Sequence, residues 1–518
     1  MSFLFHEIKP SSVCFSNINQ TRRFNSSNSG QFQMLTADYL VLGGGIAGVS
    51  TAQTLHLLQS EATIVLVTAT EVVKSVTELT HLTKLLSSFN VIETNITDWQ
   101  RDNLGVQLVK GVVTNISRER KEVSVENYGP ISYNKLCICT GGAPKIISAG
   151  NPHVLGIRDT QSVQHFQEKL KDATRVMVVG NGGIATEIVY EICNIEVIWA
   201  IKDSSISSVF VDAGAGEFLV EKINSNGPQT SLEEDNPVKR MKFTVNRSEG
   251  EGPSHLGSAL GPDWHKGFSK TGKSEGKQVH VEYKVEIDHI LSHSDLLSRN
   301  LSETAGIVTE GEKKIWNIYV ELSNGKVYGC DFVVSATGVL PSGEMFKHVV
   351  ELDAEGGIRI DEEMRTSAPD IYAAGDVCSA AWSQAPHWFQ MRLWSQARQM
   401  GMMAAKAMVA HSTGETVELD FCFEMFAHVT QFFGYKLVLL GLYNGQKLED
   451  QYEILLRVTR GREYVKAVMK EGRMQGALLI GQTDLEETFE NLILNQLDLS
   501  QYGEDLLDPN IDIEDYFD

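Results

Sequence analysis

Positive charge is what this sequence has least of: 45 Lys and Arg stand against 67 Asp and Glu, a net charge of −22. Such a surface repels phosphate backbones, so direct binding of nucleic acid is not expected. Long hydrophobic runs are missing as well. No apolar stretch reaches the ~20 residues needed to span a bilayer, and a soluble chain with no membrane partner is expected. Cysteine is scarce, 7 in 518 residues. Cys14, Cys137, Cys139, Cys193, Cys330, Cys378 and Cys422 are scattered and odd in number, which excludes a disulfide scaffold and fits a reducing compartment. Zinc-ligand spacings and Ser/His/Asp signatures are absent, so no metal is expected.

What the chain does hold is glycine, placed in two copies of one design. The apolar run Asp38–Leu42 stops at Gly43, Gly44 and Gly45 and opens into Ile46, Ala47 and Gly48. Val176–Val179 stops at Gly180, Asn181, Gly182 and Gly183 and opens into Ile184 and Ala185. A strand ending in a glycine turn before a helix aims backbone N–H groups and the helix N-terminus at a pyrophosphate. Gly43 makes the tight turn, Gly45 lets the backbone approach the phosphates, and Gly48 lets the helix pack on the strand; Gly180, Gly182 and Ala185 take those places in the second copy. Two dinucleotides are implied. A third motif runs from Thr366 to Asp376, where an apolar strand ends in small residues, Gly375 and then Asp376. That carboxylate can accept a hydrogen bond from a sugar-alcohol hydroxyl.

In this order, with Leu136–Pro144 and Phe332–Pro341 between them, the motifs resemble the pyridine nucleotide-disulfide oxidoreductases, flavoproteins with two dinucleotide-binding domains. The resemblance covers residues 36 to 410 and takes in Trp394–Gly401, similar to the family's helix beside the flavin ring. It implies FAD at the first motif and NADH or NADPH at the second, with Thr140, Gly141, Thr337 and Gly338 among the cofactor-binding residues. It also implies hydride transfer from nicotinamide to flavin across the domain interface, the protein supplying alignment and electrostatics. Trp394 and Gln396 would direct N–H groups at charge developing on reduced flavin. Lys74 corresponds to residues kept near the ring.

The sequence departs from that family in two respects. Relatives that relay electrons through a dithiol place a cysteine pair after the second strand of the flavin domain or inside the nicotinamide domain. Val67–Thr77 has no cysteine and the second window offers only Cys193. Cys137 and Cys139 alternate in a strand, which favours buried structural thiols, and Cys378 behind Asp376 is read as packing. Electron transfer straight from flavin to oxygen, a quinone or a protein acceptor is therefore expected, in an antioxidant or redox-protective role. The ribose positions also lack the usual acid. The first strand end carries Thr68, with Glu71 three residues on. The second carries Ile201 followed by Lys202 and Asp203, which makes a 2′-phosphate tolerable and leaves both NADH and NADPH open as donors.

The expected fold is α/β: two Rossmann-like dinucleotide-binding domains and a C-terminal α+β domain. Residues 1–33 form a disordered extension; 34–155 the first half of the FAD domain; 156–329 the NAD(P)H domain, with polar insertions at 224–278 and 291–313; 330–410 the second half of the FAD domain; 411–518 the last domain. The larger insertion reads as a disordered loop with an apolar island, Leu256–His265, suited to docking. A helix is expected from Asp484 to Leu497, followed by an acidic end with interleaved Ile, Tyr and Phe. Cytoplasm and nucleus are the expected location; residues 1–33, with Arg22, Arg23 and few acids, leave a mitochondrial presequence as the alternative. An animal branch of the family, which the sequence resembles through 180–185, 197–202 and 504–510, implies a protein partner, an RNA-ligase complex, met through the insertion or the acidic end. The alternative function that follows is a redox-controlled binding module, whose flavin–nicotinamide complex shields an oxygen-sensitive partner.

Overall fold

The computed structural model describes residues 35–157, 160–223, 239–245, 278–304, 314–481 and 483–510. The extension 1–33, the island 256–265 and residues 511–518 of the acidic end lie outside them. Near-continuous apolar runs give strands buried on both faces, as parallel sheets under helices require. Ile64–Thr68 and Arg175–Val179 are buried at every residue.

The first sheet has the order Val106–Lys110, Ile64–Thr68, Leu35–Leu42, Gly129–Ile138, Glu122–Val125, Val113–Ser117, and Ile371–Ala373 pairs with the end of Gly129–Ile138. Leu35–Leu42 runs parallel to both of its neighbours. The C-terminal ends at Leu42, Thr68, Ile138 and Ala373 therefore meet at one edge. The helix Ile46–Leu58 leaves that edge and packs against Trp394–Thr413 so closely that a Cβ on Gly401 would stand 2.4 Å from the Ala47 carbonyl oxygen.

The second sheet is parallel throughout: Val154–Gly156, Phe332–Ser335, Arg175–Val179, Glu196–Ala200, Gln278–Glu282. This corrects two expected boundaries. Phe332–Ser335 pairs with Arg175–Val179, so residues 332–335 belong to the second domain rather than to the returning flavin half. Val154 and Leu155 pair with Val333 and Val334 and join it too. The hairpin Ile318–Leu322 with Val327–Cys330, extended by Ile287–Leu291, forms a small antiparallel sheet of its own. The expected insertion 291–313 starts with order: Ser292 and Asp295 make a capping box for the helix His293–Ser298.

The last domain is a six-stranded antiparallel sheet: Lys239–Val245, Tyr452–Thr459, Glu463–Lys470, Arg473–Gly481, Tyr435–Gly441, Ala427–Phe432. Its first strand comes from the insertion at 224–278. That segment, expected to be a loop throughout, alternates Met241, Phe243 and Val245 with polar residues, and it pairs along Tyr452–Val458. The helix expected over Asp484–Leu497 is Glu486–Asn495, because Asp484 and Gln496 take φ of +42° and +51° and cannot continue it. Phe210, Phe218, Phe432 and Tyr464 share one core cluster, which joins this domain to the second. Across the same face Lys466, fully buried, pairs with Asp212 and donates to Asn444 Oδ1 at 2.8 Å, while the Tyr464 hydroxyl donates to Asp212 Oδ1 at 3.2 Å. Among the described residues no helix is long and apolar enough to cross a membrane.

Candidate active site

Both glycine turns have the backbone expected of them. Gly43 has φ +119°, and a Cβ there would meet the Cys139 carbonyl oxygen at 2.2 Å; Gly180 has φ +127°, and its Cβ would meet the Ala336 carbonyl oxygen at 2.1 Å. Only glycine fits either place. Gly45 and Gly182 stand at the N-caps of Ile46–Leu58 and Gly183–Glu191, with no side chain capping either helix. A Cβ at Gly45 or Gly182 would find nothing within 4 Å. Uncapped N–H groups beside open space are what a pyrophosphate requires, so the residues present fit a dinucleotide at each turn. The third positions close the cradles from below. A Cβ at Gly48 would stand 1.9 Å from the Gly43 carbonyl oxygen, whereas Ala185 is accommodated and fully buried.

Around the first turn, Gly44 covers the Thr68 hydroxyl, 2.6 Å from the position its Cβ would take. Thr68 is only 2% exposed and its hydroxyl meets that of Thr70 at 3.2 Å. Ile46 and Ala47 are buried and present backbone. Gly375, φ +82°, lies over Ala47, and Asp376 follows it at the open edge. Thr140 donates to the Ser342 carbonyl oxygen at 3.4 Å, and Gly141 accepts from Ser342 N–H at 2.9 Å. The Lys74 N–H donates to the Gly44 carbonyl oxygen at 2.8 Å, which ties the hairpin Val72–His81 with Ser87–Asn95 to the turn. The Lys74 ammonium sits 3.3 Å from Glu93 and 5.8 Å over the Trp394 ring. Lys74 and Trp394 are thus brought together at the start of Trp394–Thr413.

The Gln396 side chain is not available to the same space. It is 4% exposed, accepts from Met391 N–H at 2.7 Å and donates to the Phe389 carbonyl oxygen at 2.9 Å. Its amide braces the chain entering the helix, while its backbone N–H lies in the helix's first turn, which no side chain caps.

At the second turn, the Thr337 hydroxyl donates to the Lys145 carbonyl oxygen at 2.9 Å, and Gly338 has φ +104°. A Cβ on Gly183 would lie 3.2 Å from Phe210 and 3.8 Å from Phe432, so the last domain closes on this helix. Ile184 is half-buried and Lys202 exposed. The strand Ala427–Phe432 links the two sites: His428 Nδ1 lies 3.3 Å from the Ser395 hydroxyl at one end, and Phe432 contacts Phe210 at 5.3 Å between rings at the other. Burial pushes the His428 imidazole down to about 3, so it is neutral near neutral pH.

Sequence reasoning missed Glu187. It lies one turn beyond Gly183, is 7% exposed, and neither carboxyl oxygen has a partner among the described residues. Burial raises its pKa to about 8, so it carries its proton at neutral pH. A Glu inside an apolar helix stripe was the available signal. Cys137, Cys330, Cys378 and Cys422 are poor nucleophiles. Cys137 and Cys139 are buried with sulfurs 3.5 Å apart; contact with Cys139 and burial both raise the Cys137 pKa, and burial raises Cys330, Cys378 and Cys422. Cys193 is exposed, and Cys14 lies outside the described residues.

The family model for pyridine nucleotide-disulphide oxidoreductases matches residues 37–235 and 288–401. Pyridine nucleotide-disulfide oxidoreductase domain-containing protein 1 of Mus musculus is 50% identical over 494 residues, covering 93% of this chain and 98% of its own. The Homo sapiens protein of the same name is 49% identical with the same coverage. Among solved structures, a ferredoxin reductase of Rhodopseudomonas palustris superposes with a TM-score of 0.63 at 18% identity, covering 92% of this chain and 99% of its own.

Proposed function

We propose, for a chain that belongs to the pyridine nucleotide-disulphide oxidoreductase family and is an FAD-dependent NAD(P)H oxidoreductase, that electrons leave the flavin directly, with no cysteine-pair relay. Oxygen, a quinone or a protein is the acceptor, and the role is redox-protective. FAD and the nicotinamide nucleotide supply the hydride chemistry when bound. Gly43, Gly45 and Gly48 shape one cradle and Gly180, Gly182 and Ala185 the other. Lys74 and Trp394 border the flavin end, while Glu187, protonated and uncharged, adds no negative charge to the helix that opens at Gly183.

The observation that carries the reading is the absence, among the described residues, of an accessible thiol pair: the one close pair, Cys137 and Cys139, is buried, and contact with Cys139 and burial push the Cys137 thiol up. The test replaces both with Ala and Cys193 with Ser, then follows NAD(P)H oxidation with oxygen or a quinone. A rate within a few-fold of the parent is expected, with peroxide formed from oxygen. Retained flavin with abolished oxidation would establish a thiol relay.

One observation favours a second reading, a redox-controlled module that shields an oxygen-sensitive protein such as an RNA-ligase complex. The insertion strand Lys239–Val245 lies at the edge of the last sheet, where Arg240 pairs with Asp508 at 2.9 Å. The described strand of the insertion and Asp508, at the start of the acidic end, thus meet at one edge. Copurification of a partner with the full chain, lost when both segments are deleted, is the expected result. Scattered free thiols support a reducing location, cytoplasm and nucleus, which fractionation of the tagged full chain checks.

A further inference from the structure

In a βαβ nucleotide site the adenosine ribose comes to the end of the second strand, where an acid binds its diol and repels a 2′-phosphate. Here that strand is Glu196–Ala200, and the acid beyond it is Asp203. Asp203, half-exposed, is already engaged through one carboxylate oxygen. Its Oδ2 accepts from Asn181 Nδ2 at 2.7 Å and from the Ser208 hydroxyl at 2.8 Å. Asn181, the second residue of the glycine turn, is 6% exposed, and it also donates to the Ser205 carbonyl oxygen at 2.9 Å and accepts from Ser207 N–H at 2.5 Å. The turn that shapes the phosphate cradle therefore also holds the acid inside the neighbouring loop.

What stands at the strand ends instead is positive charge. Ile201 N–H donates to the Glu282 carbonyl oxygen at 2.9 Å, Lys284 N–H to the Asp203 carbonyl oxygen at 3.1 Å and Val285 N–H to the Ile201 carbonyl oxygen at 3.0 Å. These bonds stitch the segment after Glu196–Ala200 to the one after Gln278–Glu282, and so hold the backbones of Lys202 and Lys284 in neighbouring segments. Both lysines are exposed, and neither makes an ion pair among the described residues. The nearby Glu282 is committed to Lys326 at 2.7 Å and to Tyr328. Lys284 holds φ +56°, uncommon for a residue with a side chain.

We infer that Asn181 sets nucleotide choice: by sequestering Asp203 it leaves Lys202 and Lys284 to meet the ribose, and the site selects the 2′-phosphorylated donor, NADPH. Asn181 acts through Asp203 and is a positioning residue; the two lysines make the contact. The inference rests on the NAD(P)H reading above.

The test uses the flavin-loaded full chain. Calorimetry with adenosine 2′,5′-bisphosphate and with 5′-AMP reads the ribose end alone, and stopped-flow reduction gives the NADPH-to-NADH ratio. Lys284→Gln and Lys202→Gln should each weaken the bisphosphate about tenfold and leave 5′-AMP unchanged, with the gap narrowing in salt. Asn181→Ala should lower the NADPH-to-NADH ratio by about tenfold, and adding Asp203→Asn to it should restore the ratio. An unchanged ratio in Asn181→Ala, or failure of the second substitution to restore it, overturns the role of Asn181. Should Asn181→Ala not fold, Lys284→Gln decides: equal loss of both probes, or of neither, overturns the inference. A parent protein whose flavin neither nucleotide reduces would instead refute the proposed function.

Discussion

The two glycine turns share a backbone and differ in their neighbours. The first is enclosed by its own domain: Gly375 and Gly401 press on Ala47, and Gly48 presses on Gly43. A methyl fits at none of Gly48, Gly375 and Gly401. The second has room for Ala185, and its Gly183 is covered by Phe210 of its own domain and, from outside, by Phe432 of the last domain. One cradle is thus a property of its fold alone, while the other is finished by a separate domain.

The largest effect that would break this comparison comes from the phosphate positions. Gly45→Val should cut flavin content roughly tenfold or more, because its side chain projects into the open space a pyrophosphate would fill. Gly182→Val should keep the flavin and lose its reduction by either nucleotide, as flavin absorbance and stopped-flow reduction would show. Loss of flavin in both variants would mean the two sites are not independent.

Next come the third positions. Gly48→Ala should destabilise the protein by about 3 kcal/mol, since its neighbour is a carbonyl that cannot move aside. Ala185→Gly should cost only about 1–2 kcal/mol, through helix propensity and a lost buried methyl. Denaturant melts of the two variants measure the asymmetry, and similar losses would erase it.

The smallest effect, read per pH unit, concerns Glu187, on the second helix only. Its pKa is raised from 4.5 to about 8. Between those values the folded chain keeps a proton that the unfolded chain has lost, so stability falls as pH rises through that window, by at most about 1.4 kcal/mol per pH unit. Glu187→Gln should flatten that slope in nucleotide-free protein. An unchanged slope would place the titration elsewhere.

The glycine turns were legible in the sequence because a turn's demand for glycine is local: φ +119° at Gly43 and +127° at Gly180 are imposed within a few residues. Class and domain order followed from the same motifs. What stayed hidden depends on contacts between distant segments. Phe332–Ser335 reads alike for either sheet, and only its pairing with Arg175–Val179 assigns it. Gln396 and Thr68 are polar residues at the expected places, yet each spends its hydrogen bonds on near neighbours. Glu187 and the hold of Asn181 on Asp203 emerge only once helix, loop and last domain are packed together.

The Asp212–Lys466 pair carries a consequence for cooperativity. Both side chains are wholly buried, and the pair joins segments 254 residues apart. Replacing Lys466 alone would leave the Asp212 carboxylate unpaired in an apolar setting, a penalty of several kcal/mol, whereas parting the two domains would return both charges to water and expose the apolar cluster that Phe210, Phe218, Phe432 and Tyr464 share. The two should therefore melt as a single unit, and a chain truncated before Lys466 would lose the order of its donor-binding half together with the sheet it lacks.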